Sequence, residues 1–518
     1  MSEPCNRADL TNCDRDAILQ RAAIQPFGFL LAASPDWRIV RASANLGEFL
    51  GVDCEDILGQ PLSGIIMSKT LHTIRNRLTV LRGADMVERL SGIAFAEGGP
   101  IFDVALHFSG DHVVIEAEAS QAGSQGGSTI SLRAMMVRLD QAQTLEAFFR
   151  EGARLARGIT GFDRVLVHRF DEGGSGEVVA EATRPAIGSF LGFRYPAPDI
   201  PVLARTLHLR NPYRIIADVE AAPVPILPER DEHGSAIDLS LSILRSVSPS
   251  QIEYLKNMGV AASLSIPIVT DGMLWGLFTC HHYSARLPSF ERRSTVEIFA
   301  QMFASRLQTR ECRLALKFET KARQIVERLF TDVAGNAGLL DDPAWLADAL
   351  AGAVPADGIG VSINGRTALT GLAPSQEQFS TLIDVLDRNA PGHVFTTDHI
   401  AEFSPGAETN GDVAGLLVIP ISRLPRDYVV FFRQEILRTA HWAGDPHRPG
   451  EYGPNAESLT PRGSFNTWSE LARGRARPFS KAECSIAETI RVALEALLHG
   501  RAVEARLRFR PDEPSARR

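Results

Sequence analysis

Residues 195–201 read Tyr195-Pro196-Ala197-Pro198-Asp199-Ile200-Pro201, an acid held between prolines. Each proline fixes its own φ and pushes its predecessor out of the α region, so Asp199 sits on a backbone that cannot relax. Such a carboxylate and carbonyl suit a fixed cation. Downstream stand Arg214, Arg245 and the run Cys280-His281-His282, and far upstream stands Cys13. Guanidinium forks match carboxylates, imidazoles donate or accept, and a thiolate can form a thioether. Together they suit a large ligand that bears carboxylates. A metal is a poorer match, because adjacent side chains on a strand, such as His281 and His282, point to opposite faces.

The rest of the chain must supply domains that position these residues. Its 518 residues allow about three or four, and 44% hydrophobic against 22% charged residues is an ordinary globular balance. The net charge of −8 argues against broad nucleic-acid binding. No run approaches the ~18 apolar residues of a membrane span, and the polar N-terminus has no signal-peptide core. A cytoplasmic protein is expected. Six separated cysteines form no CxxC pair, which favours free thiols over a zinc site or a disulfide framework. No Walker loop, GxSxG or HExxH motif marks an enzyme.

Residues 24–120 alternate short apolar runs with turn signals. Strands are expected over 28–32 and 37–43, helices over 46–50 and 71–81, and a closing hairpin over 101–108 and 113–119. The Gly/Ser/Gln-rich stretch 120–128 reads as a loop. A second α+β unit opens with a helix over 144–157 and a strand over 164–169, and continues through strands 263–269 and 274–282. From Ser289 to about Val333 neither proline nor glycine interrupts a helical pattern that places Val296, Phe299, Phe303 and Leu307 on one face. This is either a strut of roughly 60 Å or two helices with a short break. A third α+β unit contains the apolar strand 413–421. It ends in a helix with Ser480 and Glu483 in capping-box spacing and Ile486, Ile490, Leu494 and Leu497 on its apolar face. The irregular stretch 439–478, rich in Gly, Pro, Arg and Trp, is too long for an idle loop in a compact domain.

Long segments resemble the bacterial phytochromes: 164–201 (RVLVHRFDEGGSGEVVAEATRPAIGSFLGFRYPAPDIP), 244–282 (LRSVSPSQIEYLKNMGVAASLSIPIVTDGMLWGLFTCHH), Pro461-Arg462-Gly463-Ser464-Phe465 and Trp468-Ser469-Glu470. Cys13 lies eleven residues before Ile24-Gln25-Pro26-Phe27-Gly28, a spacing similar to that of the family's attachment cysteine. The resemblance implies an α+β fold of three consecutive sensor domains, PAS, GAF and PHY, with antiparallel sheets flanked by helices. Its expected parts are an N-terminal extension 1–22, PAS 23–125, GAF 135–312, a connecting helix 289–333, PHY 334–508 with a tongue at about 439–478, and a tail 509–518. It also implies an N-terminal knot, with Ile24 passing through a lasso of the GAF domain.

The implied cofactor is biliverdin, a linear tetrapyrrole thioether-linked to Cys13. Ser250 stands where plant-type members carry their attachment cysteine, which favours biliverdin over more reduced bilins. Cys280 is expected as a packed core thiol. By the same resemblance the Asp199 carbonyl accepts from the pyrrole N–H groups, with Ile200 and Pro201 beside it. Arg214 and Arg245 hold one propionate, Ser263 and Ser265 the other, and His281 the D-ring carbonyl. Tyr195 and Tyr254 line the D ring. Arg462 of the tongue pairs with the Asp199 side chain, Ser464 is its replacement partner after light, and Phe465 and Trp468 belong to the same tongue motifs.

Four positions depart from the family's pattern. His168 replaces a tyrosine by the D ring, Gln251 the histidine that steadies the pyrrole water, His208 a tyrosine near a propionate, and Phe27 the histidine of the Gln-Pro-x-Gly turn. Gln251 cannot carry a charge, and His168 is expected to titrate near neutral pH. Atypical photoconversion or strong emission follows as an expectation. The function implied is red/far-red light reception by D-ring isomerisation and tongue refolding, in a homodimer. The output domain, a histidine kinase in most relatives, is not seen in this chain. The rival reading is a PAS/GAF sensor of haem or a nucleotide.

Overall fold

A computed structural model describes residues 22–508 apart from 80, 82–85, 122–127, 172–173, 196–201, 390–391, 404–412, 422–426, 436–437, 444–466 and 473. Two compact units divide the chain, Met1–Gln308 with His441–Ser469 and Thr309–Ala440 with Glu470–Arg518. The strands of the first unit are β1 (Ala23–Ile24), β2 (Gly28–Ala33), β3 (Ile39–Ser43), β4 (Glu88–Ala94), β5 (Ile101–Ser109), β6 (His112–Ala119), β7 (Arg164–Phe170), β8 (Gly176–Thr183), β9 (Arg194–Tyr195), β10 (Arg214–Ile216), β11 (Val224–Leu227), β12 (Ala262–Thr270) and β13 (Met273–His282). Its longer helices are α1 (Ser68–Leu78), α2 (Ser128–Gln141), α3 (Leu145–Thr160), α4 (Val202–Arg210), α5 (Pro249–Asn257) and the start of α6 (Phe290–Gly335).

The first sheet is antiparallel in the order β1-β11-β3-β2-β6-β5-β4. Strand β2 is buried at all six positions because the sheet is covered on both faces. Phe29, Leu31 and Ala33 join a core with the helical residues Leu71 and Ile74, while Leu30 and Ala32 meet Ile226, Leu239 and Leu244 from later in the chain. That accounts for an unbroken apolar run, since alternation needs one wet face. Strand β3 starts at Ile39 rather than at the expected residue 37, because Trp37 has φ 64° in the preceding turn.

Residues 22–25 are gripped from two sides. Ile226 N donates to the Ala22 carbonyl at 2.8 Å, and Ala23–Ile24 pairs with Val224–Pro225. On the other side Ser246 N donates to the Ala23 carbonyl at 2.9 Å and Gln25 N to the Leu244 carbonyl at 2.7 Å. The expected knot depends on the path of residues 1–21, which lie outside the described residues, as does 122–127 of the expected loop.

In the second sheet β10-β12-β13-β7-β8-β9 is antiparallel, and Trp442 pairs in parallel with Arg194 of β9. One face is the core: Val165, Val167, Tyr213, Ile215, Leu264, Ile266, Phe278 and Cys280 pack on Phe148 and Ala156 of α3 and on Phe299 and Phe303 of α6. Phe148 and Phe303 stack with centroids 4.5 Å apart. A Cβ on Gly152 would come within 2.4 Å of the Phe303 ring, so only glycine permits this approach of α3 to α6. Period-2 alternation then forces the neighbouring residues onto the opposite face. Helix α6 is one unbroken helix of 46 residues, which disposes of the reading with a short break.

The second unit has an antiparallel sheet β15-β14-β18-β17-β16, formed by β14 (Gly358–Ile363), β15 (Arg366–Gly371), β16 (Phe395–Thr397), β17 (Val413–Pro420) and β18 (Tyr428–Gln434). Every residue of β17 is buried, as its apolar run requires. Helices α7 (Pro343–Leu350), α8 (Gln376–Asn389) and α9 (Lys481–Arg508) cover it. Ser480 and Glu483 form the expected capping box: Ser480 N donates to Glu483 Oε2 at 2.7 Å and Glu483 N to Ser480 Oγ at 3.3 Å.

Candidate functional site

The face of the second sheet turned away from its core carries the polar residues. Register places Arg214 beside Ser265, Ser263 beside His281, His281 beside Arg164 and Leu277 beside His168. One sheet face therefore presents two serines, two guanidinium groups and two imidazoles in adjacent rows, while Leu264, Ile266, Phe278 and Cys280 build the core behind them. Helix α4 lies over β12 and β13 and brings His208 to the same side. The His168 ring stacks on Tyr195, centroids 5.1 Å apart and planes 28° from parallel.

Arg214 and Arg245 are anchored and yet incomplete. Arg214 donates Nη2 to the carbonyls of Arg245 at 2.6 Å and Ser246 at 2.7 Å. Nη1 of Arg214 and Nη1 of Arg245 are buried with no hydrogen-bond partner among the described residues. The same holds for His168 Nε2 and His281 Nδ1. Buried polar groups are otherwise nearly always satisfied, so four on one side of a domain mark a place for a polar ligand. The two arginines also repel each other: burial, then the neighbouring Arg245, lowers the Arg214 pKa well below its usual value. A carboxylate between them would relieve both. The residues fit a ligand that carries carboxylates together with groups able to bond imidazole nitrogens.

The histidines here are neutral. Burial holds His168 down to about 4, and burial with His168 and Arg164 nearby holds His281 down to about 3. His208 is lowered to about 4 by burial and by Arg214 and Arg245. The expectation that His168 titrates near neutral pH is thus corrected, because at 5% exposure burial penalises its charged form. Cys280 is the packed core thiol expected, its pKa pushed up by burial. His282 points the other way and meets Asp163 Oδ2 at 3.0 Å.

Of the other residues singled out in the sequence, Ile24 is fully buried and bridges Arg245. Tyr254 is half-buried on α5, whereas Gln251 is exposed in the first turn of that helix. Cys13, Asp199, Ile200, Pro201, Arg462, Ser464 and Phe465 lie outside the described residues. Trp468 falls on β20 (Thr467–Ala472), after β19 (Arg438–Ala443), and its side chain is likewise outside them.

Two residues of this neighbourhood were not singled out from the sequence. Arg164 is 2% exposed, lies 3.3 Å from Glu181 Oε1 and stacks over Phe190 at 3.8 Å. Glu116, on β6 of the first domain, bonds the loop that carries Arg245. Its signal was legible as two acids, Glu116 and Glu118, spaced by two in an otherwise apolar strand.

Family models match along the chain: the PAS fold over residues 13–120, the GAF domain over 144–309 and the phytochrome region over 322–502. The bacteriophytochrome of Pseudomonas aeruginosa is 34% identical over 514 residues, 96% of this chain and 67% of its own. Cyanobacterial phytochrome B of Nostoc sp. is 34% identical over 500 residues, 94% of this chain and 66% of its own. The chain thus spans about two thirds of the length of these curated relatives. The crystal structure of a bacteriophytochrome from R. palustris superposes with a TM-score of 0.82 at 33% identity, covering 95% of this chain and 100% of that one. The photosensory core module of the Stigmatella aurantiaca phytochrome gives 0.77 at 33% identity, with 95% and 99% covered.

Proposed function

Because the chain belongs to the phytochrome family, as the photosensory core of a bacteriophytochrome, we propose that it is a red/far-red light receptor that holds biliverdin, joined to Cys13 through a thioether. A bound linear tetrapyrrole supplies absorption of red light and a double bond that isomerises. The protein's residues bind, orient and shield it. Arg214 and Arg245 hold one propionate through their unpartnered Nη1 groups and Ser263 and Ser265 take the other. His281, kept neutral by burial, offers its free ring nitrogen to the D-ring carbonyl. His168, stacked on Tyr195, lies beside that ring with its Nε2 free for a polar group of the pigment. Asp199 and its pairing with Arg462, and Ser464 as the replacement partner, complete the path to the tongue. The chain acts as a homodimer whose signal passes to an output partner or domain.

The observation that carries this reading is the set of four buried, unpartnered nitrogens on Arg214, Arg245, His168 and His281. The test is co-expression with a biliverdin source and a denaturing gel stained with zinc. A fluorescent band in the parent that vanishes in Cys13→Ala is expected. A dark parent band rejects covalent attachment, and a colourless protein or a haem Soret band favours the rival sensor of a non-bilin ligand.

A further inference from the structure

Glu116 is a buried acid with an unusual set of partners. It is 3% exposed on β6, where Val113 and Ile115 face the first domain's own core and Glu116 must face the other way. Its Oε1 accepts from Ser242 Oγ and, at 2.8 Å, from Leu244 N, and its Oε2 accepts from Ile243 N at 3.0 Å. Ser242 Oγ in turn accepts from Arg245 N at 3.1 Å. Three bonds thus clamp a loop that belongs to no strand or helix.

Gln25 grips the same loop from the N-terminal side. Its Nε2 donates to the Ile215 carbonyl at 2.9 Å and the Arg245 carbonyl at 3.4 Å, while Ala217 N donates to its Oε1 at 3.2 Å. Arg214 donates to two carbonyls of this loop. Both incomplete guanidinium groups are therefore referenced to residues 242–246. His107 Nδ1 lies 3.9 Å from Glu116 Oε2, and burial keeps this ring neutral, its pKa down to about 4. It is no cation competing for the carboxylate.

We infer that Glu116 of the first domain is a positioning residue for recognition of the pigment's propionate, because it sets where Arg245 and Arg214 of the middle domain meet that carboxylate. The inference rests on the bilin reading above. It adds that the first domain governs selection for the carboxylate. A side chain acting only as general support would weaken all pigments alike; a positioning residue weakens only those that offer a propionate.

The test compares the rates at which the full-length apoprotein takes up biliverdin and biliverdin dimethyl ester, read as the rise in red absorbance. The parent is expected to favour the free acid by tenfold or more. Glu116→Ala should bring that ratio to within about threefold of one while leaving uptake of the ester near the parent rate. Ser242→Ala, which removes one hydroxyl, should give an intermediate ratio and carries the test if Glu116→Ala fails to fold by near-UV circular dichroism. If the parent discriminates and the folded variant keeps the full ratio, the role of Glu116 is refuted while the bilin reading stands. If the parent takes up both pigments equally, the arginine pair does not read the carboxylate and the inference falls. If it takes up neither, the bilin reading itself fails and the inference with it.

Discussion

The tie between the first domain and α6 offers the sharpest energetic prediction. Arg293, in the first turn of α6 and fully buried, pairs through Nη2 with Glu118 Oε1 of β6. It also donates Nε to the Pro288 carbonyl at 3.0 Å and Nη1 to Tyr213 Oη at 3.4 Å. Arg293→Met leaves Glu118 buried without its cation, a loss of roughly 3–5 kcal/mol for a broken buried pair. With a urea slope of about 3 kcal/mol/M, the first unit's unfolding midpoint should fall by about 1–1.7 M. Burial already raises the Glu118 pKa against the pull of Arg293. Removing Arg293 raises it further, so the stranded group is tolerated when protonated at low pH and the penalty grows as pH rises. The double variant Arg293→Met/Glu118→Met removes both charges and should recover to within about 2 kcal/mol of the parent. The assay is equilibrium urea unfolding followed by tryptophan fluorescence at two pH values. A single variant within about 1 kcal/mol of the parent, or a double variant worse than both singles combined, would refute this account of the pair.

Three further outcomes are expected. His107, His168 and His281 are buried with pKa values lowered to about 4, 4 and 3, so each favours its neutral form in the fold. Their contribution is complete above the unfolded histidine pKa of about 6.5 and is lost as pH falls toward the folded values, at about 1.4 kcal/mol per pH unit each. His107→Phe should flatten the acid limb of stability measured between pH 6.5 and 4.5; an unchanged slope rejects the assignment. Glu116 and Glu118, raised by burial, act in the opposite sense, which is why the comparison is between parent and variant. Gly276→Ala should abolish soluble expression or pigment uptake, since its Cβ would lie 2.0 Å from the His168 carbonyl oxygen; normal yield and uptake would contradict that contact. His168→Tyr, which places the tyrosine that the resemblance led us to expect, should increase the extent of photoconversion under alternating red and far-red light, and identical difference spectra would dismiss His168 as the cause of any departure.

Much of the fold was legible because its signals are local. The strand over 263–269 was legible in its apolar run, whereas the division of its faces, Leu264, Ile266 and Ile268 against Ser263 and Ser265, came from the structure. The capping pair Ser480 and Glu483 marked the start of α9. Sequence alone could not choose between one long helix and two, because an uninterrupted pattern is silent on a break; the structure has a single helix over Phe290–Gly335. The protonation of His168 was misjudged for a related reason, since a pKa is set by burial, which no residue type carries by itself. Glu116 escaped notice because its partners lie 126 to 128 residues away.

The two faces of the middle sheet divide labour in a way that bears on how such a protein changes over time. Phe278, Cys280, Leu264 and Val167 hold the domain together from behind. Ser263, His281 and His168 look outward from the same strands. On the function proposed above, replacement of an outward residue would alter the pigment's surroundings while leaving the packed core behind the sheet in place. Colour and durability could then drift independently, and a change at His168 is of the kind this separation permits.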